Sequence, residues 1–439
     1  MVVPVVNDDA CAVVSTLADC LVAGRITAVV AMLDPTMAAI HDIDDGITEA
    51  WQNMVDSHGP VTGLEPPTVE APRTDGSRVA TIVVRCEQRP FQLRATVDSD
   101  CRVAGLYLRP VSEPTDAPGP GLWTAPDYAS PSMFTESEVT IGPAGLAVPA
   151  TLCLPHCAVP VAGVVLVPGS GPADGDSTIG PNKPFKDLAW GLATRGIATV
   201  RFDKVTYSHP ATVASQTNFT VADEYLTHVT AAITLLGGHP AIHSCRVFVL
   251  GHSQGATVAT RIAENHPDLA GLICLAAAAQ PMHHAAIRQL QYLADLETRP
   301  NPAIEEMLGK LTRQAAVVDD ENLSELTPTS ELPFEVPAVY WLDLRAHDPL
   351  IAASHLELPM LFLQGGRDYQ VTTKDDLRVW QTVLSDRSNV QICVYPDDDH
   401  YFFTGTQTST PGSYLEPHHV DAQVVNDVAG WITQTTGNA

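Results

Sequence analysis

Basic residues are scarce in this chain: Lys and Arg number 24 against 51 Asp and Glu, a formal charge of −27. A surface of that sign repels phosphate backbones and anionic headgroups, so neither nucleic acid nor membrane is expected as a partner. A solvated acidic surface is the simpler reading. Long apolar runs are also missing, and none reaches the roughly 18 residues that a membrane span needs. Met1–Asp9 lacks the basic segment of a secretory signal. The nine cysteines are an odd, scattered set. They read as reduced thiols, and a cytoplasmic location is the expectation. Cys153-Leu154-Pro155-His156-Cys157 has no second ligand pair at zinc-like spacing. No Gly-Lys-Ser/Thr completes a phosphate loop after Gly169. Neither a metal nor a cofactor is expected.

The 439 residues are too many for one ordinary core, which points to two domains. Residues 1–110 read as a small α+β domain. Helical patterns cover Ala10–Leu33 and Gly46–Ser57, and strand-like runs follow at Val79–Cys86, Phe91–Val97 and Val103–Leu108. The proline-rich run Pro110–Pro120 marks a semi-rigid linker, drawn at 111–131. From 132 to 439 the pattern changes. A hairpin, Glu138–Ile141 with Leu146–Leu154, precedes apolar runs that alternate with amphipathic helices. That alternation predicts an α/β domain with a mostly parallel sheet covered on both faces. Residues 281–350 break the rhythm with polar helical sequence punctuated by Pro300, Pro302, Pro328 and Pro333. They are expected to form a helical cap over the carboxyl ends of the strands, where such a sheet carries its site.

The chemistry centres on Val247–Leu250 followed by Gly251-His252-Ser253-Gln254-Gly255 and a helical pattern from Ala256. An apolar strand, Gly-x-Ser-x-Gly and a helix make a nucleophile elbow, in which a sharp turn lifts the serine hydroxyl above the sheet. A serine hydroxyl attacks only when a base takes its proton and a carboxylate orients that base. Two later strands supply both: Leu361–Leu363 leads through Gly365-Gly366 to Asp368, and Ile392–Tyr395 leads to His400. Asp368 is therefore the expected orienting acid and His400 the base. His418 and His419 compete weakly as bases. Asp397, Asp398 and Asp399 compete weakly as acids, because adjacency to His400 gives the wrong geometry for the orienting bond. The oxyanion hole is expected from the N–H of Gln254 and that of Ser170, with Gly171 the alternative. The last two stand in the loop after Val165–Val167.

Pro168–Pro172, Gly180–Ala189, Arg201–Lys204, Tyr340–Leu344 and Arg367–Val371 together resemble bacterial α/β-hydrolase-fold serine esterases. Residues 1–110 are similar to the cystatin-like or nuclear-transport-factor-like domain that many of those proteins carry. The resemblance implies a serine carboxylesterase with Ser253, Asp368 and His400 at the triad positions, acting on a small-molecule acyl ester. The sequence departs from the family pattern at Asp174-Gly175-Asp176, at Val205 after Lys204, and at Asp398-Asp399 before His400. A tailored substrate and drift in an acidic protein both account for those changes. A thioesterase, lactone-forming cyclase or acyltransferase would use the same triad and stays open. A non-catalytic ligand binder on the same scaffold is the reading from another class. A peptidase would need a group for the free amine, and none is identifiable. The N-terminal domain is read as a contributor to the substrate pocket or to a homodimer interface.

Overall fold

The computed structural model describes residues 9–38, 43–69, 77–88, 90–110, 123–297 and 301–437. The chain divides into two compact units, Met1–Gly119 and Pro120–Ala439. In the first, helices Asp9–Val22 and Ile43–His58 are joined through the short Ile26–Val30 and Pro35–Ala38. The single helix expected over Ala10–Leu33 is broken, because Gly24 sits at φ 66°, a left-handed conformation that ends a helix. The strands are β1 (Val61–Leu64), β2 (Thr68–Val69), β3 (Arg78–Cys86), β4 (Phe91–Val97) and β5 (Val103–Pro110). They form an antiparallel sheet of order β1-β3-β4-β5, with β2 also pairing β3. Strand β4 alternates buried and half-buried residues, so Phe91, Leu93, Ala95 and Val97 face a core shared with Val14, Leu17 and Leu21 of the first helix. Neither β1 nor β2 was expected; both are too short to show a period.

The second unit holds β6 (Phe134–Ile141), β7 (Val148–Pro155), β8 (Val161–Val167), β9 (Ala198–Phe202), β10 (Ile242–His252), β11 (Gly271–Leu275), β12 (Met360–Gly365) and β13 (Val390–Tyr395). They form one sheet of order β13-β12-β11-β10-β8-β9-β7-β6. The five pairings from β13 to β9 are parallel, and β7 and β6 close the edge antiparallel. Strands β11 and β12 are buried at every residue, as a central strand covered on both faces must be. Two cores result. Val165, Val167, Val249 and Phe362 face one, while Val164, Leu166, Phe248, Leu250 and Leu361 face the other. This is the α/β-hydrolase architecture. Among the described residues, no helix is long and apolar enough to cross a membrane.

Residues 111–122 of the expected linker lie outside the described residues, as do residues 1–8. The remainder, from Trp123, packs on the hydrolase unit. Trp123 donates Nε1–H to Asp187 Oδ1 at 2.7 Å and meets Trp190 edge to face. An indole has enough apolar surface and one donor to anchor a segment that its proline-rich neighbours make look free. Helices Met282–Leu296, Pro302–Asp319, Ala338–Ala346 and Pro349–His355 fill the insertion between β11 and β12. Val318, Leu323, Leu332, Ala338 and Trp341 form a small core of their own. The later part is different, since Tyr340 and Ala353 belong to the main core and Pro349–His355 packs on the helix after Ser253.

Candidate active site

Ser253 stands at φ 55° and ψ −122°, a conformation that side chains rarely adopt, between β10 and the helix Gln254–Asn265. The flanking glycines explain how the turn closes. A Cβ on Gly251 would run into the Gly255 carbonyl, and one on Gly255 into the carbonyls of Val167 and Pro168. Ser253 N–H donates to Leu275 O at 2.9 Å, which ties the turn to β11. The Ser253 carbonyl accepts the first helical bonds, from Ala256 and Thr257 at 3.0 and 3.1 Å.

Asp368 and His400 come from the turns after the adjacent strands β12 and β13. His400 Nδ1–H donates to Asp368 Oδ2 at 2.7 Å, and both side chains are buried. The carboxylate is itself held. Its Oδ1 accepts from the N–H groups of Gln370 and Val371 at 2.8 and 2.9 Å, and its Oδ2 from Gln364 Nε2 at 3.2 Å. A carboxylate can only accept, so this bond puts a proton on Nδ1 and leaves Nε2 as the ring nitrogen that the carboxylate does not engage. The histidine turn is pinned from two sides. Arg367 donates its backbone N–H to Asp398 O at 2.8 Å and Nη1 to Asp397 O at 3.0 Å. His252, next to the elbow serine, donates Nε2–H to His400 O at 2.8 Å. Burial, with His400 beside it, lowers the His252 pKa to about 3, so its ring is neutral. Among the described residues Ser253 Oγ has no hydrogen-bond partner, and its bond to His400 is left open. Such contacts commonly close only when substrate binds.

The N–H groups of Ser170 and Gln254 are likewise without partners among the described residues, and both residues line the cleft together with Ser253. Gly171 lines it too, at φ 75°. Gly169 lies so close that a Cβ there would come within 3.2 Å of Ser253 Cβ. The cleft has a volume of about 1520 Å³ and runs from Ser253 under the inserted helices. Met282, Leu290, Leu293, Leu311 and Trp341 give it apolar walls.

The competing residues lie elsewhere. His418 N–H bonds Asn182 Oδ1 and its ring stacks on Phe403. His419 Nδ1 lies 3.1 Å from Asp187 Oδ2. Asp399 accepts from the N–H groups of Tyr401 and Phe403 and shapes the turn. Burial, with Asp421, Asp399 and Asp397 adding to it, raises the Asp398 pKa to about 7. Cys153 is buried in an apolar cluster with Phe134, while Cys157 is exposed. Among the described residues, His283, His284 and Asp319 could hold a cation, their donor atoms lying within 4.8 Å of one another. Both imidazoles bond the carboxylate, which staples two inserted helices together.

A layer of polar side chains behind the Gly169–Ser170 loop was not legible in the sequence. Lys204 Nζ bonds Gly169 O and Tyr225 Oη at 2.8 Å each and pairs with Glu224 Oε1 at 2.7 Å. Lys204 stands just past the end of β9, in the Arg201–Lys204 stretch that carries part of the family resemblance, but that stretch does not show what its ammonium bonds.

Residues 182–406 match the family model described as serine aminopeptidase, S33. The chain belongs to that family of α/β-hydrolases. Esterase EstD of Thermotoga maritima is 36% identical over 339 residues, which is 77% of this chain and 76% of that protein. Among solved structures, Est1E from Butyrivibrio proteoclasticus aligns at 16% identity and a TM-score of 0.45, covering 68% of this chain and 99% of that one. The 2,6-dihydroxy-pseudo-oxynicotine hydrolase aligns at 17% identity and 0.42, covering 67% and 66%.

Proposed function

We propose that this α/β-hydrolase, of carboxylesterase type, cleaves carboxylic esters through an acyl-serine intermediate on Ser253. The observation that carries the reading is the 2.7 Å bond from His400 Nδ1 to Asp368 Oδ2, with His400 in contact with His252, the residue before the elbow serine. Ser253 Oγ attacks the ester carbonyl carbon as His400 Nε2 takes its proton. Asp368 fixes the imidazole tautomer and stabilises the imidazolium that forms. The carbonyl oxygen becomes an oxyanion, which the N–H groups of Ser170 and Gln254 receive. Collapse breaks the carbon–oxygen bond to the alcohol, which leaves with the proton from His400. Water then attacks the acyl-serine by the same route, with His400 again the base.

The apolar cleft suits an ester with a sizeable hydrocarbon group, and the inserted helices select it. The 36% identity to an esterase supports ester cleavage over amide cleavage. Labelling with a fluorophosphonate and mapping the adduct tests the nucleophile. A panel of acyl esters, acyl thioesters and aminoacyl anilides tests the substrate class. An adduct on Ser253 with ester turnover is expected. Turnover of anilides alone, or an adduct elsewhere, contradicts the reading.

A further inference from the structure

We infer that Lys204 and Tyr225, backed by Glu224 and Tyr340, are positioning residues that lock the Gly169–Ser170 peptide with its N–H aimed at the oxyanion. The inference rests on the ester-hydrolase reading above and goes beyond it. The C=O of Gly169 and the N–H of Ser170 belong to one planar peptide unit. No peptide bond among the described residues is cis, so the two groups point in opposite directions. Fixing the carbonyl oxygen therefore aims the N–H.

Two donors fix it. Gly169 O accepts from Lys204 Nζ at 2.8 Å and from Tyr225 Oη at 2.7 Å. The ammonium has three hydrogens and three acceptors: Gly169 O, Tyr225 Oη and Glu224 Oε1. Glu224 Oε2 accepts from Tyr340 Oη at 2.5 Å, and Tyr340 Oη accepts from Gln254 Nε2 at 3.1 Å. Gln254 Oε1 lies 3.3 Å from Tyr225 Oη. The ring of contacts thus returns to its start, and it holds the side chain of Gln254, whose backbone N–H is the second oxyanion donor.

Lys204 is 1% exposed and Glu224 5%. Burial lowers the lysine's pKa, and the Glu224 carboxylate opposes that by favouring the ammonium. A buried ion pair adds little stability over apolar residues of the same shape, so its presence here needs another reason. Orientation supplies one. A flipped peptide would leave the ammonium short of an acceptor and turn the Gly169 carbonyl toward the cleft, where it would repel the oxyanion. The ammonium also polarises the peptide it bonds, which makes the Ser170 N–H a stronger donor.

The test compares wild type with Tyr225→Phe and Lys204→Met for kcat, KM and inhibition by an alkyl boronic acid, whose tetrahedral adduct places an oxygen in the hole. Removing one oxyanion donor costs on the order of 10²–10³ in kcat. Lys204→Met is expected to approach that loss, and Tyr225→Phe to lose about tenfold, one of two anchors remaining. KM should stay within about twofold while boronate affinity falls in step with kcat, because the ground-state ester makes little use of the hole. Tyr225→Phe deletes a single oxygen and decides the matter if Lys204→Met does not fold. Folded variants with unchanged kcat and boronate affinity overturn the lock alone, given fluorophosphonate labelling of wild-type Ser253. Absence of that wild-type labelling overturns the lock together with the reading beneath it.

Discussion

The His252 imidazole donates to the backbone carbonyl of His400 at 2.8 Å, and the two rings lie 4.7 Å apart. The residue that precedes the elbow serine therefore holds the main chain of the proposed base. The proposed nucleophile and base are thereby registered to each other without a bond between their own side chains.

His252→Ala removes this tie. The base should wander, and kcat should fall about tenfold or more with KM little changed, since small displacements of catalytic groups are costly. His252→Gln, which keeps a donor, should recover part of the loss. The pH behaviour gives a second check. The folded pKa lies at about 3, and the unfolded value near 6.5. Between them the unfolded chain binds a proton that the folded chain does not, so this residue's share of stability is present above about 6.5 and drains as pH falls toward 3. Acid unfolding followed by fluorescence should be shallower in His252→Gln. Coincident kcat values for wild type and His252→Ala would contradict the tie.

Asp398 should act in the opposite direction. Its carboxyl is pushed to about 7 by burial with added repulsion from Asp421, Asp399 and Asp397, and Oδ2 has no partner among the described residues. An unfolded aspartate ionises near 3.9. Between these values the folded chain keeps a proton that the unfolded chain has lost, so stability falls as pH rises through the window and levels off above about 7. Asp398→Asn should flatten this part of the profile and raise Tm at pH 8 relative to wild type. Calorimetry at pH 5, 6.5 and 8 decides it, and parallel curves for the two proteins would contradict it.

The inserted helices should set substrate size. Leu293 lines the cleft from the helix Met282–Leu296. Leu293→Asp puts a charge against any long acyl chain lying there. The expected result is a loss of at least about tenfold in kcat/KM for long-chain esters, because a carboxylate against hydrocarbon must be desolvated, neutralised or turned away, with short esters nearly unaffected. A chain-length series of nitrophenyl esters measures it, and a uniform loss across the series would rule the idea out.

The elements nearest the chemistry were legible because each rests on a local pattern. Val247–Leu250 before Gly-x-Ser-x-Gly is a buried strand feeding a turn. The runs before Asp368 and His400 are strands for the same reason, and the structure joins those two residues by a hydrogen bond. The proposed lock behind the Gly169–Ser170 loop was not legible. Gly169, Lys204, the adjacent Glu224 and Tyr225, Gln254 and Tyr340 come from five separate stretches of sequence, and only the folded sheet makes them neighbours. Trp123 shows the same limit on a smaller scale. Its proline-rich surroundings read as linker, yet an indole bonded to Asp187 belongs to the domain. The helix break at Gly24 turned on one left-handed residue, which helical periodicity outweighed.

Ser253 is the residue on which the account depends. The decisive measurement is kcat for Ser253→Ala beside wild type, on an ester that wild type turns over, with a fluorophosphonate adduct mapped in parallel. Alanine removes Oγ and adds no bulk to the strained turn. By the scale of triad knockouts, kcat should drop by about 10⁴ to 10⁶ while the protein stays folded, and the label should sit on wild-type Ser253 and be absent from the variant. A folded Ser253→Ala that retains activity within tenfold of wild type, or a label that persists on another residue, would contradict the account.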